Sequence, residues 1–397
     1  MAVIAPPKYV RSVLAALQAR GHLAYLVGGC VRDMILGVHP QDWDVCTSAL
    51  PQEVLAIFPN AVPTGLKHGT VTVKIQSRQV EVTTFRSEGS YTDHRHPDAV
   101  SFVGDLTTDL SRRDFTMNAI ALPLDGLVAD PFGGVEDIRR QIIRCVGEPE
   151  RRFEEDALRM FRALRFSARL GFAVEPNTMA AIETCAPLAA SLAAERVRDE
   201  MEKLLLTRQP EKLALLIAAG LLDAYLLHRL PEEFRLLRLN SLPRKALFRW
   251  AGLCAILEED GCIRSGEEFL LALRLDHRTV RCCAGCMALL RENIPDSAYA
   301  WKRQLNRYGV DAVSCAARVR DALQGGGSYR ALRAVLKSGE CFSMKHLAVT
   351  GDDLLALGLS GKALGDMLGF LLDYVMEFPE NNRRELLLAL ASASEEN

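Results

Sequence analysis

The 397-residue sequence has no long hydrophobic run, since no stretch reaches the roughly 18 uninterrupted apolar residues that a membrane-spanning helix needs. Residues 1–20 also lack the charged start, apolar centre and cleavage site of a secretory signal. Of eleven cysteines, only Cys282, Cys283 and Cys286 cluster, and no second Cys or Cys/His pair follows at zinc spacing. We therefore expect a cytoplasmic protein in which these cysteines pack as small hydrophobic residues.

The sequence also lacks an excess of either charge. Its 48 Lys and Arg oppose 50 Asp and Glu, giving a net charge of −2, which argues against a uniformly basic nucleic-acid-binding surface. Lysine is scarce, because only 10 of the basic residues are lysines and 38 are arginines. Arginine favours bidentate phosphate contacts and stacking on bases. A GC-rich genome would explain the same surplus equally well, so the count alone does not decide between the two.

The hydrophobic pattern changes near residue 145. Before it, helical and strand patterns alternate, and beyond residue 149 long arginine-rich helical patterns follow. The patterns predict helices at 10–20, 31–36, 153–170, 176–186 and 194–206, and strands at 23–27, 70–75 and 79–85. The predicted fold class is α+β, with a mixed-sheet head followed by an all-α remainder, and the length predicts about two to four domains.

A glycine pair and three acidic residues form the first candidate site. Gly28 and Gly29 join a short strand to a helix, a turn where backbone N–H groups can approach an anion. Asp42 and Asp44 alternate on a predicted strand, which would place both carboxylates on one face, and Glu81 lies on a later strand. Adjacent carboxylates repel one another unless a cation lies between them, and Mg²⁺ prefers oxygen ligands. We expect Asp42 and Asp44, with Glu81 as third acid, to support a two-metal Mg²⁺ site.

Five ordered motifs between about residues 20 and 205 resemble the class II tRNA nucleotidyltransferases, the bacterial CCA-adding and poly(A) polymerase family with a polymerase-β-like head. The segments that carry the resemblance are 26–33 with 42–44, 112–119, 130–134, 155–159 and 195–196. The resemblance is looser in the tail, at 351–355 and 361–365. It implies a head at 1–145, a neck at 146–206, a body at 207–298 and a tail at 299–397, the last two binding RNA.

The resemblance also implies roles for individual residues. Gly28, Gly29, Arg32 and Arg113 would hold the triphosphate, with Arg112 beside them. Asp114 and Asn118 would contact the ribose, and Arg162 is included in the nucleotide site.

The motif at 155–159 would read the base. Cytosine and adenine each present an amino donor beside a ring-nitrogen acceptor, so a carboxylate and a guanidinium satisfy both bases. Uracil and guanine would face like groups, which costs free energy when buried. We infer that Asp156 and Arg159, on one face of a helix, read the base and that Glu155 orients them.

Two further features bear on the nucleic-acid partner. The polar segment 86–97 is expected to be a mobile loop, and by resemblance its intact length favours addition of the full CCA. Basic residues recur through the helical half and would contact tRNA phosphates. They are Arg151, Arg152, Arg159, Arg162, Arg165, Arg169, Arg229, Arg235, Arg238, Arg244, Lys245, Arg249, Arg274, Arg278, Arg281, Lys302, Arg303 and Arg307.

The sequence therefore predicts template-independent addition of CCA to the 3′ end of tRNA from CTP and ATP, with pyrophosphate released. Addition of CC alone, of A alone, or of poly(A) uses the same motifs and stays open. A non-catalytic RNA-binding protein and nucleotidyl transfer to a small molecule are the alternatives from other classes. No His-Asp doublet occurs, so the phosphohydrolase domain of some relatives is not expected. The motifs imply no membrane and no protein partner.

Overall fold

The computed structural model describes residues 5–89, 99–125, 127–231, 233–293 and 297–393, which form two compact units, 1–224 and 225–397. The first unit begins with a head whose patterns alternate as predicted. Its helices are α1 (Lys8–Ala19), α2 (Gly29–Ile35), α3 (Pro51–Ile57), α4 (Leu106–Ser111) and α5 (Gly134–Arg140). Its strands are β1 (Ala24–Val27), β2 (Asp44–Thr47), β3 (Val62–Gly65), β4 (Thr70–Ile75), β5 (Arg78–Thr84), β6 (Arg86–Glu88), β7 (Val100–Phe102), β8 (Ala121–Pro123) and β9 (Ile142–Ile143).

Six of these strands form one mixed sheet in the order β3-β4-β5-β2-β1-β8. The predicted pairing of 70–75 with 79–85 is confirmed, since β4 and β5 run antiparallel, whereas β2 and β5 run parallel. Alternating apolar residues of the strands are buried, among them Val71, Val73, Val80 and Val82, because successive side chains point to opposite faces. This sheet places the end of β1, the start of β2 and the middle of β5 side by side.

Helices dominate the remainder of the first unit, with a single further strand, β10 (Ala173–Val174), which pairs with β9 in the part of the chain that the structure describes. The helices are α6 (Pro149–Glu155), α7 (Leu158–Leu170), α8 (Pro176–Cys185), α9 (Ala194–Leu205) and α10 (Leu213–Ala218). The continuous helix predicted for 153–170 is wrong, because Asp156 has extended backbone angles (φ −149°, ψ 101°) between α6 and α7. The Asp156 carboxylate accepts the Leu158 N–H at 3.1 Å, and aspartate favours such local bonds at helix starts over helix interiors.

In the second unit, every regular element of the residues that the structure describes is a helix. Its helices are α11 (Ala246–Glu259), α12 (Gly266–Ala272), α13 (His277–Arg291), α14 (Ala298–Gln324), α15 (Ser328–Ser338), α16 (Gly351–Leu355), α17 (Gly361–Glu377) and α18 (Arg384–Ala393). Gly309 interrupts α14 with a positive φ of 80°. The predicted α+β class, a mixed-sheet head followed by helices, is confirmed.

The eleven cysteines are all buried and free of disulfides, and Cys282, Cys283 and Cys286 pack inside the second unit as predicted. Within the described ranges, no helix is both long and apolar enough to cross a membrane.

Gly134 shows why the glycine pair at 133–134 matters to the head. A Cβ on Gly134 would lie 2.1 Å from the Thr116 carbonyl oxygen, which is backbone and cannot move aside. We expect Gly134→Ala to lower the free energy of unfolding by at least about 2 kcal/mol, the usual scale of an overpacked core. Urea unfolding measures this change. Gly365→Ala is the control, because that helical glycine faces open space and alanine there should be neutral or slightly stabilising. Equal stability of the two variants would contradict the assigned clash.

Candidate active site

Two of the three predicted acidic residues lie side by side in the sheet. Asp44 is the first residue of β2, and its register partner on the parallel strand β5 is Glu81. The prediction that Asp42 shares this strand is wrong, because β2 begins only at Asp44. The Glu81 N–H donates to the Trp43 carbonyl oxygen at 3.1 Å, so the pairing with β5 reaches Trp43. Asp42 nevertheless lies near enough to Asp44 for its negative charge to raise the pKa of Asp44.

The surroundings of Asp44 destabilise the ionised form of its carboxyl group. Burial, Glu81 and Asp42 raise the pKa of Asp44 from 3.8 to about 6, although Arg113 opposes the rise. In the part of the chain that the structure describes, no three His, Cys, Asp or Glu side chains form a group that could hold a metal ion. The donor atoms here are carboxylate oxygens only, and they repel one another. Carboxylate oxygens are the ligands that hard divalent cations prefer, and a cation between them would relieve this repulsion.

Arg113 and Asp44 both lie beside the Gly28 turn. Gly28 has a φ of 76°, which favours glycine, and a Cβ there would lie 3.2 Å from an Arg113 guanidinium nitrogen and 3.5 Å from Asp44 Oδ2. A Cβ on Gly29 would lie 3.5 Å from the Arg32 guanidinium. Both glycines therefore leave room for charged groups at the start of α2.

Arg112 and Arg113 follow directly after α4 and share one carboxylate, that of Asp109, which sequence reasoning missed. Arg112 donates to Asp109 Oδ1 from Nε at 3.0 Å and from a terminal nitrogen at 2.8 Å, and to Glu88 at 3.1 Å. Arg113 makes one longer bond, 3.4 Å, to Asp109 Oδ2. The spacing of Asp109 three and four residues before the arginines on a helix is the signal that could have revealed it.

Asp114, Asn118 and Arg32 form one buried hydrogen-bonded chain. Asn118 donates to Asp114 at 3.1 Å and accepts from Arg32 at 2.9 Å. Arg162 donates twice to Asp114 Oδ2, at 2.8 and 2.6 Å. Burial alone would raise the pKa of Asp114, but Arg162 and the Asn118 hydrogen bond hold it at about 2.

Arg32 is buried within this hydrogen-bonded chain and does not lie on the protein surface. The residue is 2% exposed, and its guanidinium also donates to Asp33, at 2.6 and 2.9 Å. It lies over the Phe166 ring as well. In this conformation Arg32 orients the Asn118 amide and does not face solvent.

Asp156 and Arg159 are held by different partners. Arg196 donates to both Asp156 oxygens, at 3.1 and 2.9 Å, a bidentate grip that sequence reasoning did not predict. Arg159 donates to Glu155 at 2.6 Å and to the backbone carbonyls of Arg152 and Arg112, at 3.0 and 3.2 Å. Glu155 thus contacts Arg159 as inferred, whereas Arg196 orients Asp156.

A cavity of about 580 Å³ lies next to these groups, between β6, α4 and α6. Arg112 and Glu155 are among its lining residues, together with Arg151 and Arg152. Arg159 donates hydrogen bonds to the Arg112 carbonyl oxygen and to Glu155, which connects this cavity to the groups inferred to read the base.

Some of the basic residues predicted to contact RNA are buried, and others are exposed. Arg165 is buried against Glu200, and Arg159, Arg249 and Lys302 are also buried, so the expectation that these four face phosphates is wrong in this conformation. Burial follows from position, because each lies on the inner face of a packed helix. Arg151, Arg169, Arg278, Arg303 and Arg307 keep between about half and three quarters of their side-chain surface exposed.

The sequence and the fold match known proteins. A family model for the poly(A) polymerase head domain matches residues 24–144, and one for a probable RNA- and SrmB-binding site of polymerase A matches residues 171–232. Fold and site together define a nucleotidyltransferase with a poly(A) polymerase head.

Similar proteins narrow this class. The CCA-adding enzyme of Geobacillus stearothermophilus is 42% identical over 350 residues, covering 86% of this chain and 85% of the relative. That of Enterococcus faecalis is 36% identical over 390 residues, covering 97% and 95%. The crystal structure of the Bacillus stearothermophilus CCA-adding enzyme in complex with CTP superposes with a TM-score of 0.85 at 37% identity, covering 99% of this chain and 98% of that one. The chain belongs to the family of CCA-adding enzymes and is a tRNA nucleotidyltransferase.

Proposed function

We propose that Asp42 and Asp44, with Glu81 beside them, form the catalytic centre and that the two aspartates are the ligands of Mg²⁺. When bound, Mg²⁺ supplies positive charge that stabilises the attacking oxygen and the leaving pyrophosphate. The raised pKa of Asp44 supports this assignment, since a carboxylate that resists its own charge gains most from a nearby cation. Glu81 would add negative charge at the same point, whether or not it contacts the ion.

The remaining residues position the nucleotide. Arg113 would bind the triphosphate, because it stands beside Asp44 at the Gly28 turn and has donors that its one bond to Asp109 does not use. Gly29 and Arg112 complete that region. Asp114 and Asn118 would meet the ribose, a role supported by their fixed orientation through Arg162 and Arg32. Phosphoryl transfer asks little of the protein beyond such positioning and charge.

Asp156 and Arg159 would select cytosine and adenine. Each is held by another charged residue, so neither must be ordered when the nucleotide arrives, and preorganised groups discriminate better. Their donor and acceptor pattern fits the pairing edges of C and A and opposes those of U and G. We propose CTP and ATP as the nucleotides and tRNA as the acceptor, in line with the relative solved with CTP.

This activity also has consequences for the RNA contacts and the location of the protein. Exposed arginines such as Arg151 and Arg278 would contact tRNA phosphates, and a tRNA substrate makes the cytoplasm the proposed location. We keep the division into head (1–145), neck (146–206), body (207–298) and tail (299–397) as part of the proposal. Of the predicted loop 86–97, residues 86–89 belong to β6 and its end, and 90–97 lie outside the described residues.

The observation that carries the proposal is the meeting of Asp44, Glu81 and Arg113 at the start of the central strand β2. The test is nucleotide incorporation by the purified protein into a tRNA that lacks CCA, with CTP alone, ATP alone and both together. Addition of CCA with both is expected. Growth only of CC, only of A, or of long A tracts would instead identify one of the sister activities, and no incorporation would favour a non-catalytic RNA-binding protein.

Within this assay, Asp42→Ala should abolish incorporation of both nucleotides and leave tRNA binding largely intact, because the carboxylate serves the reaction and not the RNA. Incorporation is followed on denaturing gels and tRNA binding by a filter assay. Asp125→Ala, an exposed aspartate of the same unit, is the control and should retain full activity. Persistent incorporation by Asp42→Ala would refute the metal assignment.

A further inference from the structure

Asp109 is a fully buried carboxylate that contacts three separate arginines. It is 0% exposed, and Oδ1 accepts hydrogen bonds from the backbone N–H of Arg86 at 3.2 Å and from Arg112. Oδ2 accepts the bond from Arg113. A buried charge costs free energy unless it is paired, and these partners supply the pairing that the Asp109 carboxylate needs in the core.

Arg113 depends on Asp109 for its direction. The 3.4 Å bond to Asp109 is the only hydrogen bond described for its guanidinium, and its Nε is buried without a partner among the described residues. Its other end faces the Gly28 turn and Asp44. Without Asp109, nothing else described for Arg113 would hold it toward that point.

Arginines outnumber carboxylates in the ion-pair group around Asp109. Arg86, Arg112 and Arg113 bring three positive charges, and Asp109 and Glu88 bring two negative ones. Arg112 connects this group to the base-reading region, since its backbone carbonyl accepts from Arg159. One buried carboxylate therefore fixes two adjacent arginines that border two parts of the nucleotide site.

We propose that Asp109 is a positioning residue that sets the Arg113 guanidinium group for the nucleotide triphosphate. The inference rests on the proposed role of Arg113 at the triphosphate. Asp109 itself touches no substrate, because its side chain is enclosed and its acceptors are used by the arginines and by the Arg86 N–H. Its effect on the reaction passes through Arg113.

The test is steady-state kinetics of Asp109→Asn. The amide keeps the size but loses the charge and one acceptor, so we expect the KM for CTP and ATP to rise by roughly 10- to 100-fold, the scale of hydrogen bonds to charged groups. The KM for tRNA should stay unchanged. Asp137→Asn is the control, because Asp137 is also buried and bound to an arginine, Arg144, and its described bonds do not reach Arg112 or Arg113. It should lower stability and leave the nucleotide KM unchanged.

A double-mutant cycle with Arg113→Ala separates positioning from general damage. If Asp109 acts through Arg113, Asp109→Asn should raise the nucleotide KM of the wild type and add nothing in the Arg113→Ala background. Additive effects, an unchanged nucleotide KM, or an equal rise in the KM for tRNA would each overturn the proposal. A silent Arg113→Ala would refute the triphosphate assignment itself and the positioning role with it.

Asp109→Glu covers the case in which Asp109→Asn does not fold. It keeps the charge but moves the carboxylate by one methylene, and a displacement of about 1 Å can cost on the order of 100-fold in rate. We expect a several-fold lower kcat/KM for both nucleotides at an unchanged KM for tRNA. A folded Asp109→Glu protein with wild-type nucleotide kinetics would contradict the proposal.

Discussion

The Asp44→Asn protein should be inactive and yet more stable than the wild type. Incorporation of both C and A should fall by on the order of a thousandfold or more, because a lost metal ligand removes several kcal/mol of transition-state stabilisation and each 1.36 kcal/mol is roughly tenfold. Stability should rise because Asp44 carries an unfavourable charge in the folded protein, shown by its raised pKa of about 6.

The pH dependence gives this prediction its sign. The folded-state pKa of Asp44 lies above its ordinary value of 3.8, so the folded wild type binds the proton better and loses stability as the pH rises from about 4 to about 6. The asparagine side chain of the variant does not titrate. The free energy of unfolding of Asp44→Asn should therefore exceed that of the wild type by up to about 3 kcal/mol above pH 6, since each pKa unit is worth about 1.4 kcal/mol.

Urea unfolding of both proteins between about pH 4 and pH 8 measures this difference. Mg²⁺ should stabilise the wild type and have little effect on Asp44→Asn, because only the wild type keeps the carboxylate pair. Asp366→Asn, an exposed position of the second unit, is the control and should show no such pH-dependent gain. A stability difference that stays constant across this pH range would contradict the repulsion assigned to Asp44.

Asp156→Ala should cost the enzyme its choice of nucleotide. Without the carboxylate, no acceptor binds the amino group of C and A, and no negative charge repels the carbonyl oxygen of U and G. Selectivity should therefore drop by roughly 10- to 100-fold. The measurement is kcat/KM for single additions of CTP, ATP, UTP and GTP. Unaltered selectivity against UTP and GTP would refute the base-reading assignment.

Arg196→Lys tests the same assignment from outside the proposed base contact. Lysine cannot reproduce the bidentate grip on Asp156, so the carboxylate should lose its fixed orientation and selectivity should fall by about tenfold with the fold intact. Arg198→Lys is the matched control, because Arg198 lies on the same helix and pairs with Asp199. Equal effects of the two changes would show that Arg196 does not act through Asp156.

Local pattern was enough to predict much of this protein. Alternation of apolar residues located β4 and β5, and the change of period near residue 145 located the helical half. Three sequence features identified the residue types that nucleotidyl transfer needs. They are the turn at Gly28 and Gly29, the acidic residues Asp42, Asp44 and Glu81, and the motif at 155–159. These features are short in sequence, and each has a local physical cause.

Pattern failed where a tertiary contact overrode it. The helix predicted for 153–170 breaks at Asp156, because that side chain bonds Leu158 and is held by Arg196, 40 positions away. Helical periodicity continues across this break and gives no warning of it. Arg165 was among the arginines predicted to contact RNA, and only packing against Glu200 shows that it is buried.

The sequence by itself determined the fold class, the family and the set of chemical groups, since these depend on periodicity and on motifs of adjacent residues. The tertiary structure decided which groups face each other: Asp44 with Glu81, Asp114 with Arg162, and Asp109 with both arginines that follow it. Two of these three pairings join residues far apart in the chain. Strand register and helix packing fix them, and no local rule of spacing contains that information.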